Sequence, residues 1–269
     1  MRVATPPNPR DLILKLLLGA EGGSFSARDA VAACALFGIR ENNARVALVR
    51  LSATGMIEGT GRGAYRIGPS SSDLAEEVRA WRAAESRVRK WNGAWLVVHS
   101  AALLRSDRAA WRRCDRALRM LGFRELEKDL FVRPDNLVGG VKSVRARLRK
   151  LGLAAEAPVF TADDLDEELD ARARALWTSD ALTESYARTR RELERWLQRM
   201  RTLEPEVAAR ESFLLGSDAI RQLVFDPLLP DPLVDVSERR AFVDVVKRFD
   251  EAGHAIWRTV LGASAKEVP

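Results

Sequence analysis

The sequence predicts a mainly helical α+β protein, and three observations support this fold class. Residues 9 to 55 contain three apolar stripes with the 3.6-residue period of α-helices, and a short hairpin pattern follows them. Between residues 94 and 162, apolar runs of strand length alternate with two amphipathic helical patterns. From residue 163 onward the periodicity is helical, apart from a proline-rich connection at 226–236.

The N-terminal segment, 1–70, predicts three helices and a hairpin. Pro9 precedes the helical stretch RDLILKLLLG, Ser26 is suited to cap ARDAVAACALFG, and Gly38 and Gly55 follow the last turns of the second and third helices. The stretch MIEGTGRGAYRI then reads as two strands joined by a glycine-rich turn. This is the order of elements in a winged helix-turn-helix domain, which we assign to residues 1–70.

The third helix has an apolar stripe on one side and a mixed surface on the other. Ala44, Ala47, Leu48 and Leu51 follow helical spacing and are expected to face the core. On the other side, arginine can pair with guanine, asparagine with adenine, and a small apolar side chain can meet a thymine methyl group. We therefore predict a DNA-binding surface formed by this helix and the hairpin, with the residues Asn42, Asn43, Arg45, Val46, Val49, Arg50, Arg62 and Arg66. The alternatives are a solvated basic face and a protein-binding face.

The charge is unevenly distributed along the chain. Residues 1–70 carry nine basic and five acidic residues, residues 71–160 carry 19 and 11, and residues 161–269 carry 16 and 22. With a net charge of +6, this favours an anionic partner for the first two-thirds of the chain. No apolar run approaches membrane-spanning length, and the N-terminal stretch lacks the apolar core of a signal peptide, so we expect a cytoplasmic protein without membrane contact.

The middle segment, 71–162, predicts a linker helix from Asp73 to about Lys90 and then strand, helix, hairpin, helix, strand. That order is ferredoxin-like. Each of its two helices carries a run of basic residues. These runs are either solvated faces or a site for phosphates of DNA or of a coenzyme. The runs contain Arg105, Arg108, Arg112, Arg113, Arg116 and Arg119, then Lys142, Arg145, Arg147, Arg149 and Lys150.

The rear segment, 163–269, predicts a helical domain, and nothing in the chain predicts catalysis. The last helix reads as one long helix or as a pair bent at Gly253. Cys34 and Cys114 fit reduced core thiols, His254 fits a structural role, and no metal-ligand spacing, nucleophile elbow or phosphate-binding loop is present. We therefore expect no catalytic residues, no metal and no enzyme activity. The aromatic residues of this segment are expected in the core: Trp177, Tyr186, Trp196, Phe213, Phe242, Phe249 and Trp257.

Six stretches, taken together and in order, resemble the PaaX family of phenylacetate-pathway transcriptional repressors. They are PRDLILKLLL, FGIRENNARVALVRLSATGMIEG, KWNGAWLVV, GFRELEKDLFVRPDN, ALWTSDALTESYARTRRELERW and FDPLLPDPL. The resemblance covers nearly the whole chain.

The resemblance implies a repressor with a winged-helix domain, a ferredoxin-like middle domain and a helical C-terminal domain. It also implies a homodimer on double-stranded operator DNA with two half-sites, and release by an acyl-CoA effector, typically phenylacetyl-CoA. No other cofactor is expected. Candidate residues for the effector phosphates are cations of the middle domain: Arg105, Arg108, Arg112, Lys142, Arg145 and Arg149.

Two other functions are compatible with the sequence. One is a metal-dependent nuclease on the ferredoxin-like fold, although His99 and Ser100 stand at the end of the first strand, where related CRISPR subunits place a carboxylate. The other is a non-catalytic assembly module whose basic face binds an acidic partner.

Overall fold

The computed structural model describes residues 7–20, 23–61, 63–100 and 107–264 of the 269-residue chain. Helices make up 63% of the structure and the strands form two small sheets, so the mainly helical α+β class is confirmed. The chain divides into two units. Unit 1 consists of Met1–Arg79, Leu193–Ala219 and Val246–Pro269, and unit 2 consists of Ala80–Glu192 and Ile220–Val245.

The helices and strands follow one another in three groups. The first group is α1 Pro9–Gly19, β1 Ser24–Ser26, α2 Ala27–Leu36, α3 Glu41–Ala53, β2 Ile57–Gly61, β3 Ala64–Ile67 and α4 Ser72–Arg79. The second group is β4 Trp95–His99, α5 Arg108–Met120, β5 Arg124–Glu127, β6 Leu130–Pro134, α6 Gly140–Lys150 and β7 Val159–Ala162. The third group is α7 Glu167–Arg174, α8 Ser179–Arg199, α9 Pro205–Val224 and α10 Val236–Ser264.

The helix signals in the N-terminal segment are confirmed. Ser26 Oγ accepts a hydrogen bond from the Asp29 backbone N–H at 3.0 Å and donates one to Asp29 Oδ2 at 2.7 Å, which fixes the start of α2. Gly55 follows α3 with a φ of 67°, in the left-handed region that glycine adopts most easily. A Cβ there would lie 2.7 Å from Ser70 Oγ, so the position also lacks space for a side chain.

One element of this region was not predicted, and another ends earlier than predicted. The unpredicted element is the strand β1, which pairs antiparallel with β3 and gives the sheet order β1-β3-β2. The helix expected from Asp73 to about Lys90 stops at Arg79 and continues as short 3-10 turns. The reason lies in the chain that follows: Arg89 N–H donates to Asn136 O at 2.8 Å, so this segment is extended.

The core of unit 1 combines the first three helices with the late helices. The buried side chains Leu12, Leu51 and Phe213 belong to one apolar cluster, against which Trp257 packs. The Phe213 ring lies 5.4 Å from the ring of Phe37 and 6.4 Å from that of Trp257, measured between centroids. The segments of α9 and α10 within unit 1 therefore support the fold of its N-terminal stretch.

Unit 2 contains a four-stranded sheet with the order β5-β6-β4-β7, in which every pairing is antiparallel. Trp95 on β4 is buried and stacks on Trp177 with a centroid distance of 6.0 Å. Its indole N–H donates to Asp170 Oδ1 at 2.9 Å, which ties α7 to the sheet. The two strands of the predicted hairpin and the predicted last strand of this segment are thus present.

A buried polar cluster lies elsewhere in unit 2. Arg239 is fully buried and donates to Glu85 Oε1 at 2.7 Å. Asp226 is also buried, and its Oδ1 accepts a hydrogen bond from the Leu228 N–H at 2.7 Å. Burial raises the pKa of the Asp226 carboxyl, and the positive charge of Arg239 opposes that rise without cancelling it.

The last helix, α10, is continuous through Gly253, so the bent alternative is wrong. A Cβ at Gly253 would lie 3.5 Å from Ser212 Cβ, which is ordinary contact and shows how closely α9 and α10 approach within unit 1. The aromatic residues expected in the core are buried, apart from Trp257, which is half-buried.

Candidate nucleic-acid interface

The helix α3 exposes the face that the sequence assigned to DNA. Val46 is 39% exposed and Val49 is 67% exposed, whereas Ala44, Leu48 and Leu51 on the other side are buried. Most of the surface of Val49 therefore lies in water, so its side chain contributes little burial energy to this unit. The face is therefore available to a partner that offers apolar atoms, such as a thymine methyl group.

The polar residues predicted for the same face are also exposed. Asn42, Asn43, Arg45 and Arg50 lie at the surface of α3 around the two valines. Arg40 at the N-cap makes no side-chain capping hydrogen bond. The exposed face of α3 therefore combines amide, guanidinium and methyl groups, which are the groups that distinguish base pairs in a major groove.

Two arginines of the predicted surface are paired with carboxylates. Arg45 Nη2 lies 2.7 Å from Glu41 Oε1, one helical turn earlier, and both side chains are at least 60% exposed. Arg66 on β3 lies opposite Glu58 on β2, and its Nε is 2.6 Å from Glu58 Oε1. Such exposed pairs are worth little in stability, so a phosphate or a base can displace the carboxylate at low cost.

The hairpin that carries Arg66 is held from one side by the β1 pairing. Gly61 and Gly63 flank its turn with φ values of 87° and 72°. Arg62, the other predicted hairpin contact, lies outside the described residues. The hairpin and the exposed face of α3 thus belong to one unit, with Arg66 exposed on the hairpin.

The helices behind this face are fixed at their C-terminal ends by side chains from later in the chain. His254 Nε2 lies 2.7 Å from Gly19 O, and Arg79 Nε donates to Leu18 O at 3.3 Å. Arg210 Nη1 donates to Leu36 O at 3.3 Å at the end of α2. The final carbonyl groups of a helix have no partner inside it, so these contacts satisfy them. Among the elements of unit 1, α1 and α2 are therefore tied to α4, α9 and α10.

The cations predicted for an effector do not share one environment. Arg108, Arg112 and Lys142 are exposed on α5 and α6, and Arg105 lies outside the described residues. Arg145 Nη2 donates to Val159 O at 2.5 Å, and a second bond from Nε to the same oxygen measures 3.2 Å.

Arg149 is engaged in a similar way to Arg145. Its Nη2 donates to Ala157 O at 2.9 Å. These two arginines therefore satisfy carbonyls at and just before β7, an edge strand of the sheet. Both side chains therefore use part of their N–H groups for hydrogen bonds within unit 2, whereas the side chains of Arg108, Arg112 and Lys142 are exposed to solvent.

Glu41 and Glu58 are functional candidates that sequence reasoning missed. The spacing of Glu41 and Arg45 at i and i+4 is a signal that the sequence contains, because such residues are neighbours on a helix surface. The Glu58–Arg66 contact depends on hairpin register and is visible only in the sheet.

In the part of the chain that the structure describes, no group of three or more His, Cys, Asp or Glu side chains is placed to hold a metal ion. The thiols of Cys34 and Cys114 are buried, and burial raises the pKa of each to about 11, so both remain protonated at neutral pH. Across the same described ranges, no helix is long and apolar enough to span a bilayer.

Two family models match separate parts of the chain, and one solved structure is similar to most of it. Residues 8–70 match a family model described as PaaX-like protein, and residues 177–259 match one described as PaaX-like protein C-terminal domain. The solved structure of the uncharacterized protein Rv0674 from Mycobacterium tuberculosis is similar to this chain, with a TM-score of 0.56 and 25% sequence identity. That similarity covers 93% of this chain and 98% of the other. No curated protein matches the sequence.

Proposed function

We propose, from the premise that this chain belongs to the PaaX-like family, that it is a transcriptional repressor which binds duplex DNA through α3. Members of that family are transcription regulators. The observation that supports the proposal most directly is the exposed apolar patch of Val46 and Val49 on a helix whose other side is buried. Solvent alone does not account for two valines among arginines and asparagines, whereas a DNA groove does.

In this proposal the N-terminal segment, 1–70, acts as a winged helix-turn-helix domain. Helix α3 enters the major groove, where Arg45 and Arg50 reach guanines and the valines meet thymine methyl groups. The β2–β3 hairpin acts as the wing, and Arg66 contacts a phosphate or the minor groove beside it. The strand–helix–hairpin–helix–strand segment of unit 2 is then a ferredoxin-like domain.

Control by a small molecule is the second part of the proposal. Two copies of the chain bind the two half-sites of an operator, and an acyl-CoA such as phenylacetyl-CoA releases them. A ligand changes DNA affinity only if it binds the DNA-free arrangement more tightly than the DNA-bound one. For release it must therefore favour a dimer whose two α3 helices no longer match successive major grooves.

The test of DNA binding uses a charge placed on the exposed face of α3. The operator is first selected from random duplexes with the full-length protein, and binding is measured by electrophoretic mobility shift. Val49→Asp is expected to abolish operator binding, because a carboxylate in the groove faces base edges and phosphates. Val138→Asp is the matched control, since Val138 is 56% exposed and belongs to unit 2.

Three results contradict the proposal. One is failure to select any duplex, and another is equal loss of binding in both variants. The third is cleavage of duplex or single-stranded DNA by the wild-type protein in the presence of magnesium, which favours the nuclease alternative. For effector control, a thermal-shift panel of acyl-CoA thioesters against the corresponding free acids tests which ligand stabilises the protein.

A further inference from the structure

Helices α5 and α6 of unit 2 pack beside each other and are strongly basic. Each contains five lysine or arginine residues, and Asp115 is the single acidic residue in their combined sequence. Like charges at this density repel one another, which costs stability in the isolated protein. A face of this kind is therefore best explained by a partner that neutralises it.

The basic side chains of α5 point away from the interior. Cys114, Ala117 and Leu118 are buried and define the inner side of the helix. At 100° per residue, the opposite side carries the four positions Arg108, Arg112, Arg116 and Arg119. Successive members of this row rise by about 4.5 to 6 Å along the helix axis, so the row is linear and extended.

Three of the exposed cations on the two helices form no ion pair with the residues that the structure describes. Arg119 pairs with Asp115, whereas Arg108, Arg112 and Lys142 are exposed and form no ion pair within the described ranges. Arg145 and Arg149 donate to backbone carbonyls and are partly committed, as described above. The uncommitted cations are thus arranged along two adjacent helices at the surface.

The shape of this surface decides between two anionic ligands. A coenzyme is bound in a concave pocket that buries most of its surface, and its few phosphates need only a few cations. Duplex DNA presents one negative charge per about 1.7 Å of helix axis, and it gains affinity by releasing counterions to an extended row of cations. An exposed row on the outer side of a helix fits the second ligand.

We propose that the outward face of α5 and α6 binds the phosphate backbone of duplex DNA without reading its sequence. This inference rests on the proposed function in one respect, since it gives the DNA that α3 reads an additional contact, which is made by unit 2. The α3 face selects the sequence, and the α5–α6 face contributes salt-dependent affinity that is the same for every sequence.

The test measures how DNA affinity depends on salt for a full-length double variant, Arg112→Gln with Lys142→Gln. The matched control is Lys128→Gln with Arg221→Gln, which removes one lysine and one arginine from exposed positions of unit 2 outside α5 and α6. Fluorescence anisotropy with an operator duplex and a long duplex of arbitrary sequence is followed from about 50 to 200 mM salt. Circular dichroism and thermal unfolding check that each variant is folded.

The face variant removes two cations that each neutralise a phosphate in this proposal. The slope of log affinity against log salt is expected to decrease by about 0.9 per phosphate, hence by about two units. The decrease is expected to be equal on both duplexes, and the control is expected to keep the wild-type slope. An unchanged slope in the face variant overturns the proposal. Equal decreases in the face variant and the control also overturn it, because net charge alone would then explain the effect.

Two further arms separate this inference from the proposed function and from a ligand site. In a Val49→Asp background the face variant should still weaken binding to arbitrary duplex, so this inference can hold even when operator recognition fails. Conversely, if the face variant binds the operator with the wild-type salt slope, the proposed function stands and DNA binding by the α5–α6 face is rejected. Loss of thermal stabilisation by coenzyme A, with DNA binding unchanged, identifies the face as a ligand-phosphate site and rejects the proposal.

Discussion

Arg45 Nη2 lies 2.7 Å from Glu41 Oε1 on the exposed face of α3, so a carboxylate neutralises this arginine in the free protein. Glu58 has the same relation to Arg66 on the hairpin. A phosphate that approaches either arginine must displace a carboxylate that repels it. In the proposed complex both pairs would weaken contacts with DNA of arbitrary sequence, and base contacts made by α3 would compensate for the ion pairs that break.

Glu41→Gln is expected to strengthen binding to arbitrary duplex DNA and to make its salt dependence steeper by about 0.9 units, the value for one added phosphate contact. Discrimination between operator and arbitrary DNA should decrease. Competition experiments with labelled operator and unlabelled arbitrary duplex measure both effects. Glu251→Gln on α10 removes an exposed carboxylate elsewhere in unit 1 and should change neither; a decrease in arbitrary-DNA affinity for Glu41→Gln would contradict the expectation.

Arg45→Ala and Arg50→Ala are each expected to reduce operator affinity by about 1 to 3 kcal/mol if the side chain pairs with a base. Arg66→Ala should instead weaken all sequences alike and reduce the salt slope, because a phosphate contact carries no sequence information. Titrations against the operator and against single-base variants of it separate the two classes. If both substitutions on α3 leave the mobility shift unchanged, the assignment of base contacts to them is wrong.

Phe213→Ala is expected to lower the free energy of unfolding by about 3 to 5 kcal/mol, because it removes a buried ring between Phe37 and Trp257. Leu214→Ala is the neighbouring control, and since Leu214 is 37% exposed its loss should be much smaller. Urea unfolding measures both. Equal losses in the two variants would show that the buried Phe213 ring contributes no more to the free energy of unfolding than the partly exposed Leu214 side chain.

Asp226→Asn is expected to stabilise the protein increasingly as pH rises. Burial raises the pKa of Asp226 in the folded state, so the wild-type carboxyl favours folding only while it is protonated. This contribution is complete below the unfolded pKa of about 4 and is lost as pH rises through the folded pKa. The neutral asparagine avoids that loss and keeps an oxygen for the Leu228 N–H.

Urea unfolding of both proteins from acid to neutral pH gives the difference in free energy, which should be near zero in acid and grow with pH. A difference that is independent of pH would contradict this prediction. Asp235→Asn provides a contrast, because hydrogen bonds from Ser237 and Glu238 lower the pKa of that exposed carboxyl. Its wild-type contribution is present above the unfolded pKa and is lost as pH falls through the folded value.

The periodic features of the chain were predictable, because helical spacing and short apolar runs depend on local sequence. The buried and exposed sides of α3, the Ser26 cap and the strands of unit 2 follow from such patterns. The three-residue strand β1 is too short to show a period, and it forms because the hairpin offers it an edge.

Contacts between distant parts of the chain were not predictable in this way. The side chain of Arg145 donates to the backbone carbonyl of Val159. Because every residue has such a carbonyl, the sequence does not indicate which one accepts this hydrogen bond. The pair of Glu85 with the buried Arg239 joins residues 154 positions apart. The predicted surface on α3 could thus be named from sequence, whereas the division of the basic residues on α6 between structural and exposed roles required the structure.

Unit 1 is assembled from three separate stretches of chain, and this affects how the protein is made. A nascent chain that has left the ribosome only as far as residue 192 contains α3 but lacks Phe213, Trp257 and His254. The apolar surface of the first helices therefore stays uncovered until α9 and α10 have been synthesised. The N-terminal region acquires its finished core only after translation has passed residue 257.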